Sequence, residues 1–468
     1  MKRFLWSGLV LSLYLICTGC GDTFRPIIIP NPPVFPNPKA AHTVVSINDN
    51  GTAVAGTAMV IDVSGDTEVS IANVGLAPVQ AVQQSSFQVL VVNHSVTGSI
   101  ADSLTELTFG GATTISSAFT ITLPPNSAPS FAAVAPSSTT AYVTLPNYLN
   151  PTTNTIVPSV GVVSTVTDSL QNPPTITVGN NPVALAVTPN NTKLYVANQG
   201  DSTISGFNTV DRSQRVGSPV TTSSPPIWLV ARSDNQRVFF LEASGTLGWL
   251  DTTSTAGPDG LSETSITVPA AAKLVYDGNL NRIYVPGGAQ VAIVDATQPA
   301  TSSSLLIANV PITTVAPGAR VASDPCSATT ATTLNTVDVA ALPDGSRAYA
   351  GSFYEAAVGA TNYICPQVTV IDVASNTAKP PVAIPGFAAY DDFCAPNPTR
   401  SPRFRIMMAA GGDSSRAYLS SCDGGSVNVI DTSTDSYLLN LQAPISSRSV
   451  QGSTFNPPQN PIFLLAGP

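Results

Sequence analysis

Apolar and polar positions alternate along this chain in short runs separated by turn residues. The clearest unit runs from Asn181 to Phe207. Val183 to Val187 alternates as a first strand, a. Pro189-Asn190-Asn191 makes a turn, and Leu194 to Ala197 is strand b. Gly200-Asp201-Ser202 turns again before strand c, Thr203 to Phe207. A fourth strand, d, then leads to the next Pro. Diverged copies of strand b recur at Phe87–Asn93, Thr140–Leu145, Arg237–Glu242, Arg282–Val285, Arg347–Ala350, Arg416–Ser420 and Pro461–Leu465. The eight copies stand about 45 to 70 residues apart, a period that signals an array of supersecondary units. Four short antiparallel strands per unit match one blade of a β-propeller.

The repeat resembles the YVTN family of β-propeller repeats. The shared pattern is a Pro-x-Ala start, a Pro-Asn-Asn turn, a Lys193-x-Tyr195-Val196 strand and a Val-Ile-Asp strand end. The last recurs as Val60-Ile61-Asp62, Trp249-Leu250-Asp251, Ile293-Val294-Asp295, Val370-Ile371-Asp372 and Val429-Ile430-Asp431. Each of these Asp side chains is expected to cap the turn that follows it, not to do chemistry. The resemblance covers residues 52–468. It implies an all-β propeller, of eight blades by repeat count, although seven is commoner in the family.

The ends predict how the ring closes. Residues 57–75 carry only strands c and d (Ala58 to Val63, then Glu68 to Val74). Residues 446–468 carry only a and b (Val450 to Phe455, then Pro461 to Leu465). Together they form one composite blade, which removes the open sheet edge. His42 to Ile47 reads as a further strand outside the ring.

Composition agrees with this picture. Only 10% of the 468 residues are charged, and 41 Pro and 33 Gly favour turns over helices. With 28 acids against 19 bases, the chain offers no general footprint for nucleic acid.

Residues 1–19 read as a targeting segment, with Lys2 and Arg3 before the apolar run Leu5 to Ile16. Cys17-Thr18-Gly19-Cys20 resembles a bacterial lipobox, with Cys17 where Leu is usual and Cys20 as the lipidated residue. An ordinary secretory signal cleaved nearby is the other reading. Residues 20–39, rich in Pro, read as a semi-rigid tether, and residues 40–468 as one propeller domain. This places the body at the cell envelope, facing the periplasm or the cell surface.

Catalytic templates fail for want of residues. There are two histidines, His42 and His94, so a His-rich metal site is excluded and any Ser-His-Asp triad would need one of them. Asn93-His94-Ser95 reads as a strand-end turn. One charged patch breaks the general charge poverty: Asp391, Asp392, Arg400, Arg403 and Arg405, with Tyr390 and Phe393 beside them. It lies in an insert before the last repeat, with further inserts at 319–336 and 351–366. A solvated loop with internal ion pairs is one reading. A recognition loop on the propeller rim is the other.

Four cysteines follow Cys20: Cys326, Cys365, Cys394 and Cys422. In an oxidising compartment they predict two disulfides. In a propeller the d-to-a and b-to-c connections emerge on one face, which favours Cys326–Cys365 and Cys394–Cys422. Cys365–Cys394 with Cys326–Cys422 is the next pairing. Metal ligation is the weaker alternative, as no Cys-x-x-Cys exists.

The sequence thus points to an envelope-anchored propeller, a monomer by this reading, that binds an envelope protein or glycan through one loop-rich face, without nucleic acid or cofactor. The alternative is a propeller enzyme of the lactone hydrolase or oxidoreductase type, with a metal or cofactor in the central channel.

Overall fold

The computed structural model describes residues 43–51, 54–85, 88–95, 101–111, 114–316, 320, 324–327, 333–385, 388–389, 394–395, 404–442 and 460–467. They form eight blades, each with four antiparallel strands lettered a to d from the innermost outward; Val382–Ala383 and Ala388–Ala389 pair in addition with the third strand of blade 7, and Leu149–Asn150 with Thr155–Ile156 forms a separate small hairpin. Blade 2 holds Pro78–Ser85, Gln88–Asn93, Ser103–Phe109 and Ile115–Thr122. Blade 3 holds Ala132–Val134, Thr140–Leu145, Ser159–Ser164 and Ser169–Thr177. Blade 4 holds Pro182–Val187, Lys193–Asn198, Thr203–Asn208 and Val220–Thr221. Blade 5 holds Pro226–Ala231, Arg237–Glu242, Thr246–Asp251 and Gly260–Thr267. Blade 6 holds Val275–Asp277, Arg282–Gly287, Gln290–Asp295 and Leu306–Pro311. Blade 7 holds Leu334–Ala341, Arg347–Val358, Thr361–Asp372 and Thr377–Ala378. Blade 8 holds Ile406–Ala410, Arg416–Ser421, Ser426–Asp431 and Ser436–Gln442.

Blade 1 closes the ring, but not in the expected two-plus-two form. Its innermost strand is Asn460–Ala466, and the N-terminal segment supplies the other three: Thr43–Asp49, Ala55–Asp62 and Thr67–Leu76. Pro461 to Leu465 is therefore strand a, not b, and the stretch placed outside the ring is strand b. The physical reason is pairing on both edges. Val45 faces Val60 on one side and Leu465 on the other, and all of Thr43–Asp49 is buried. Pro461 is the second residue of its inner strand, and Pro78, Pro182 and Pro226 start theirs; a missing N–H is tolerated there on the sheet edge. Val450 to Phe455 lies outside the described residues.

In blades 4, 7 and 8 the Lys/Arg-x-Tyr of strand b joins one blade to the next. Tyr195 Oη donates to Asp259, 2.8 Å away in the c-to-d connection of blade 5. Tyr349 donates to Asp435 of blade 8 at 2.7 Å, and Tyr418 to Asp66 of blade 1 at 3.1 Å. Cations reach the same carboxylates: Arg215 on Asp259 at 2.8 Å, Arg347 and Lys379 on Asp435 at 2.7 Å, and Arg416 on Asp66 at 2.8 Å. These tyrosine rings are buried between blades, and burial above all raises their hydroxyl pKa values.

The Asp that ends strand c caps the next turn in all five repeats where it was expected. Asp62, Asp251, Asp295, Asp372 and Asp431 accept the N–H of Ser64, Thr253, Thr297, Ser375 and Ser433 at 2.8 to 3.0 Å. Hydrogen bonds from Ser375 and Ser433 hold Asp372 and Asp431 below the usual carboxylate range.

Candidate functional site

Strand a of blades 2, 4, 5 and 7 carries a register shift just before a common level of the channel. It falls between Pro78 and Gln80, Pro182 and Ala184, Pro226 and Trp228, and Thr336 and Asp338. A bulge re-aims the residue that follows it. That residue stands two places before the one opposite the strand-b tyrosine position. Counting the same way from Ala133–Tyr142, Val275–Tyr284 and Ala409–Tyr418 puts Phe131, Lys273 and Met407 at this level too.

The side chains of this tier fill the channel. Trp228 of blade 5 meets Phe131 at the entry to blade 3 edge-to-face, with centroids 5.3 Å apart. It meets Phe404, at the entry to blade 8, at 5.9 Å and 75°. Contacts between non-adjacent blades must reach across the axis. The Nζ of Lys273 lies 5.7 Å from the centroid of Trp228 and 5.6 Å from that of Phe404. The same ammonium pairs with Asp338 of blade 7 at 2.7 Å. The second oxygen of Asp338 accepts the N–H of Met408 at 2.8 Å. Lys273 is 7% exposed and Asp338 1%. Ammonium and carboxylate are thus engaged with each other, with ring faces and with backbone, an arrangement that holds blades together and leaves neither group free as a nucleophile or base.

Beyond the tier, toward the a-to-b connections, the channel opens into a funnel of about 430 Å³. Val275 to Asn279, Val339 to Pro343, Met408 to Ala410, Leu465 and Ala466 line it. Its one carboxylate, Asp277, caps Asn279 through Oδ1 at 2.9 Å and leaves Oδ2 unpartnered.

The opposite face carries the disulfides. Cys326–Cys365 and Cys394–Cys422 are the two bonds, with Cα atoms 5.7 and 5.8 Å apart. Cys365 sits within strand c, because 351–366 is not a loop. Strands b and c of blade 7 run on as one hairpin, Arg347–Val358 against Thr361–Asp372, with twelve residues each where blade 4 has six. Its tip, residues 357–362, is exposed. Arg320 braces this rim: it pairs with Asp324 at 3.1 Å and donates to the carbonyls of Pro366 and Ile384 at 2.7 and 2.9 Å. Tyr354 Oη donates to the Cys326 carbonyl at 2.8 Å. Asn460 ties the second disulfide to the closing strand by donating to the Cys422 carbonyl at 2.8 Å.

Of the charged patch, only Arg405 falls among the described residues. It is buried and ion-paired with Asp423, so its charge supports the rim from within. Cys20, Tyr390, Asp391, Asp392, Phe393, Arg400 and Arg403 lie outside the described residues, as does His42. His94 Nδ1 is 3.2 Å from Asp102, whose other oxygen accepts Ser127 Oγ at 3.1 Å. Here the carboxylate stands between His and Ser, the wrong order for a triad. Among the described residues no group of three His, Cys, Asp or Glu is placed to hold a metal ion.

Trp228, Lys273, Asp338, Phe404 and Arg320 were not singled out from the sequence. Trp228 had a signal, since it replaces the Ala of the Pro-x-Ala start.

No family model and no curated protein matches this chain. Among solved structures it is similar to AztD from Citrobacter koseri. The apo form is 12% identical, over 91% of this chain and 98% of that one, at a TM-score of 0.57. A second AztD structure is 11% identical, over 90% and 97%, at 0.58. At this identity the likeness speaks for the fold alone.

Proposed function

We propose that this chain is a non-enzymatic binding or scaffolding module, tethered to the cell envelope through Cys20 and the Pro-rich segment 20–39, with a YVTN-type propeller as its body. The rim of blades 7 and 8 is its binding face, and an envelope protein or glycan its partner. The observation that carries this reading is the division of labour between the two ends of the channel. The tier around Trp228 fills the axis where a channel enzyme keeps its reacting groups. Two disulfides and Arg320 instead stiffen one rim around an exposed hairpin tip. Rigid support under exposed connections lowers the ordering cost of binding.

The test is a shortened hairpin. Deleting 357–362 and rejoining the strands with Asn-Gly leaves both disulfides in place. Retention of envelope material on the immobilised 40–468 body should be lost, with Tm within about 2 °C of the parent, since the removed residues are exposed. Undiminished retention contradicts the assignment of the face. The tether has its own test: Cys20→Ser should move the protein from the membrane to the soluble fraction, and membrane retention contradicts it. The unpaired Oδ2 of Asp277 favours a second reading, in which an enzyme works from the funnel. Turnover abolished by Asp277→Asn would establish it.

A further inference from the structure

The closing strand docks on its blade without a connecting turn. In blades 2 to 8 strand a is followed directly in sequence by strand b, whereas Asn460–Ala466 reaches Thr43–Asp49 from the far end of the chain. No hairpin holds the two together, so contacts alone must offset the entropy of ordering this strand. Its C-terminal part is well paired. Leu464 and Leu465 face Ser46 and Val45, and the Gly467 N–H donates to the Thr43 carbonyl at 2.7 Å. The other end is poorly paired. The register passes from Ile47–Phe463 to Asn48–Pro461, which leaves Ile462 bulged, with no residue opposite it on Thr43–Asp49. Pro461 has no N–H to give.

That weak end sits on the second disulfide. Ile462, 1% exposed, forms a separate buried apolar cluster with Cys394 and Cys422. The buried amide of Asn460 donates to the Cys422 carbonyl at 2.8 Å and to Cys394 Sγ at 3.2 Å. Cys422 is fixed by blade 8 itself, since its N–H donates to the Arg405 carbonyl at 2.9 Å. The disulfide extends that fixed point to Cys394, and the pair forms the socket for the bulge. The other disulfide differs. Cys326 and Cys365 belong to the core between blades 6 and 7, which contains no residue of the closing strand.

We propose that Cys394–Cys422 is a redox latch on ring closure. Oxidised, it seats Asn460 and Ile462, and the ring is shut. Reduced, its two sulfurs part, the socket is lost, and Asn460–Ala466 leaves Thr43–Asp49. The reaction is thiol–disulfide exchange with a dithiol. One thiolate of the dithiol attacks a sulfur of the pair and forms a mixed disulfide, and the other cysteine leaves as a thiolate. The second thiol of the dithiol then displaces the remaining cysteine. Two electrons and two protons pass to the cysteine pair, and the dithiol departs as its own disulfide. Shutting the latch is the reverse, with a disulfide as oxidant. Cys394 and Cys422 are both fully buried. The seated strand therefore shields the bond from thiols, just as the bond holds the strand. A chain that meets an oxidant shuts its ring, and a chain kept reduced stays open at blade 1.

Hydrogen exchange is followed on the oxidised full chain, on Cys394→Ala with Cys422→Ala, and on Cys326→Ala with Cys365→Ala. The first variant should exchange about tenfold faster or more in 43–49 and 460–466, with blades 2 to 5 still protected. The second should match the wild type in 43–49 and 460–466. A further readout keeps every cysteine. Under dithiothreitol, Ile462→Ala should speed alkylation of Cys394 and Cys422 by about tenfold or more, with Cys326 and Cys365 unchanged. Unaltered protection of 460–466 in the first variant overturns the proposal, as does equal loss in both double variants. So does a Cys394–Cys422 bond reduced no faster in Ile462→Ala, a result that holds even where a cysteine variant fails to fold.

Discussion

Tyr418 and Asp66 stand 352 residues apart in sequence and 3.1 Å apart in space. Arg416 reaches the same carboxylate at 2.8 Å. This contact joins the last blade to the first, and it is chemically the same contact that joins blade 4 to 5 and blade 7 to 8. The strand motif that betrays the repeat is thus the fastener between repeats.

The fasteners predict alkaline sensitivity. Tyr195, Tyr349 and Tyr418 have hydroxyl pKa values raised by burial and by the facing carboxylates. An unfolded tyrosine ionises near pH 10. The folded value lies higher, so this stability is fully present below about pH 10 and is lost as pH rises further, by up to about 1.4 kcal/mol per tyrosine per pH unit. Urea midpoints between pH 8 and 11 should fall less steeply in the triple Tyr→Phe variant than in the wild type. Equal slopes would contradict the role given to these hydroxyls.

The channel tier predicts strong coupling between Lys273 and Asp338. Lys273→Met leaves a buried carboxylate unpaired and should cost about 3–5 kcal/mol, as should Asp338→Leu. The double variant should lose much less than the sum, because no orphan charge remains. Additive losses, read from denaturant midpoints, would show that the pair does not act as a unit.

Each disulfide should contribute about 2–4 kcal/mol, since they span 39 and 28 residues. Cys394→Ser with Cys422→Ser should lower Tm and raise protease cleavage within 384–405, while blades 2 to 5 keep their hydrogen-exchange protection. Uniform loss of protection would contradict a local bracing role.

Much of the architecture was legible because it is periodic. The Lys/Arg-x-Tyr strands, the capping aspartates and the four cysteines recur at fixed places in a unit, and a unit can be read locally. The closing strand was misread because Pro461-Ile462-Phe463-Leu464 fits the apolar pattern of strand a and strand b alike. Only pairing of Val45 with both Val60 and Leu465 tells them apart. The tier was invisible for the opposite reason. Its members occupy one position of the repeat, but that position holds Phe131, Ala184, Trp228, Lys273, Asp338 or Met407, so no motif marks it. Arg405 looked solvated in a charge-rich insert, and its burial against Asp423 depends on a fold contact 18 residues away.

Ring closure depends on one strand. Deleting 460–468 removes the inner strand of blade 1 and bares Thr43–Asp49. The truncated protein should lose cooperative unfolding and aggregate through that edge. A monomer that melts like the full chain would contradict closure by the termini.

The most direct measurement of the binding face is photocross-linking in intact envelopes. One photoreactive side chain replaces Asn362 at the hairpin tip, and another replaces exposed Thr434 in a c-to-d turn of the opposite face. The account predicts a discrete, saturable adduct from position 362 and none from 434. Adducts from 434 alone, or equal yields from both, would contradict the assignment of the blade 7 and 8 rim as the site of recognition.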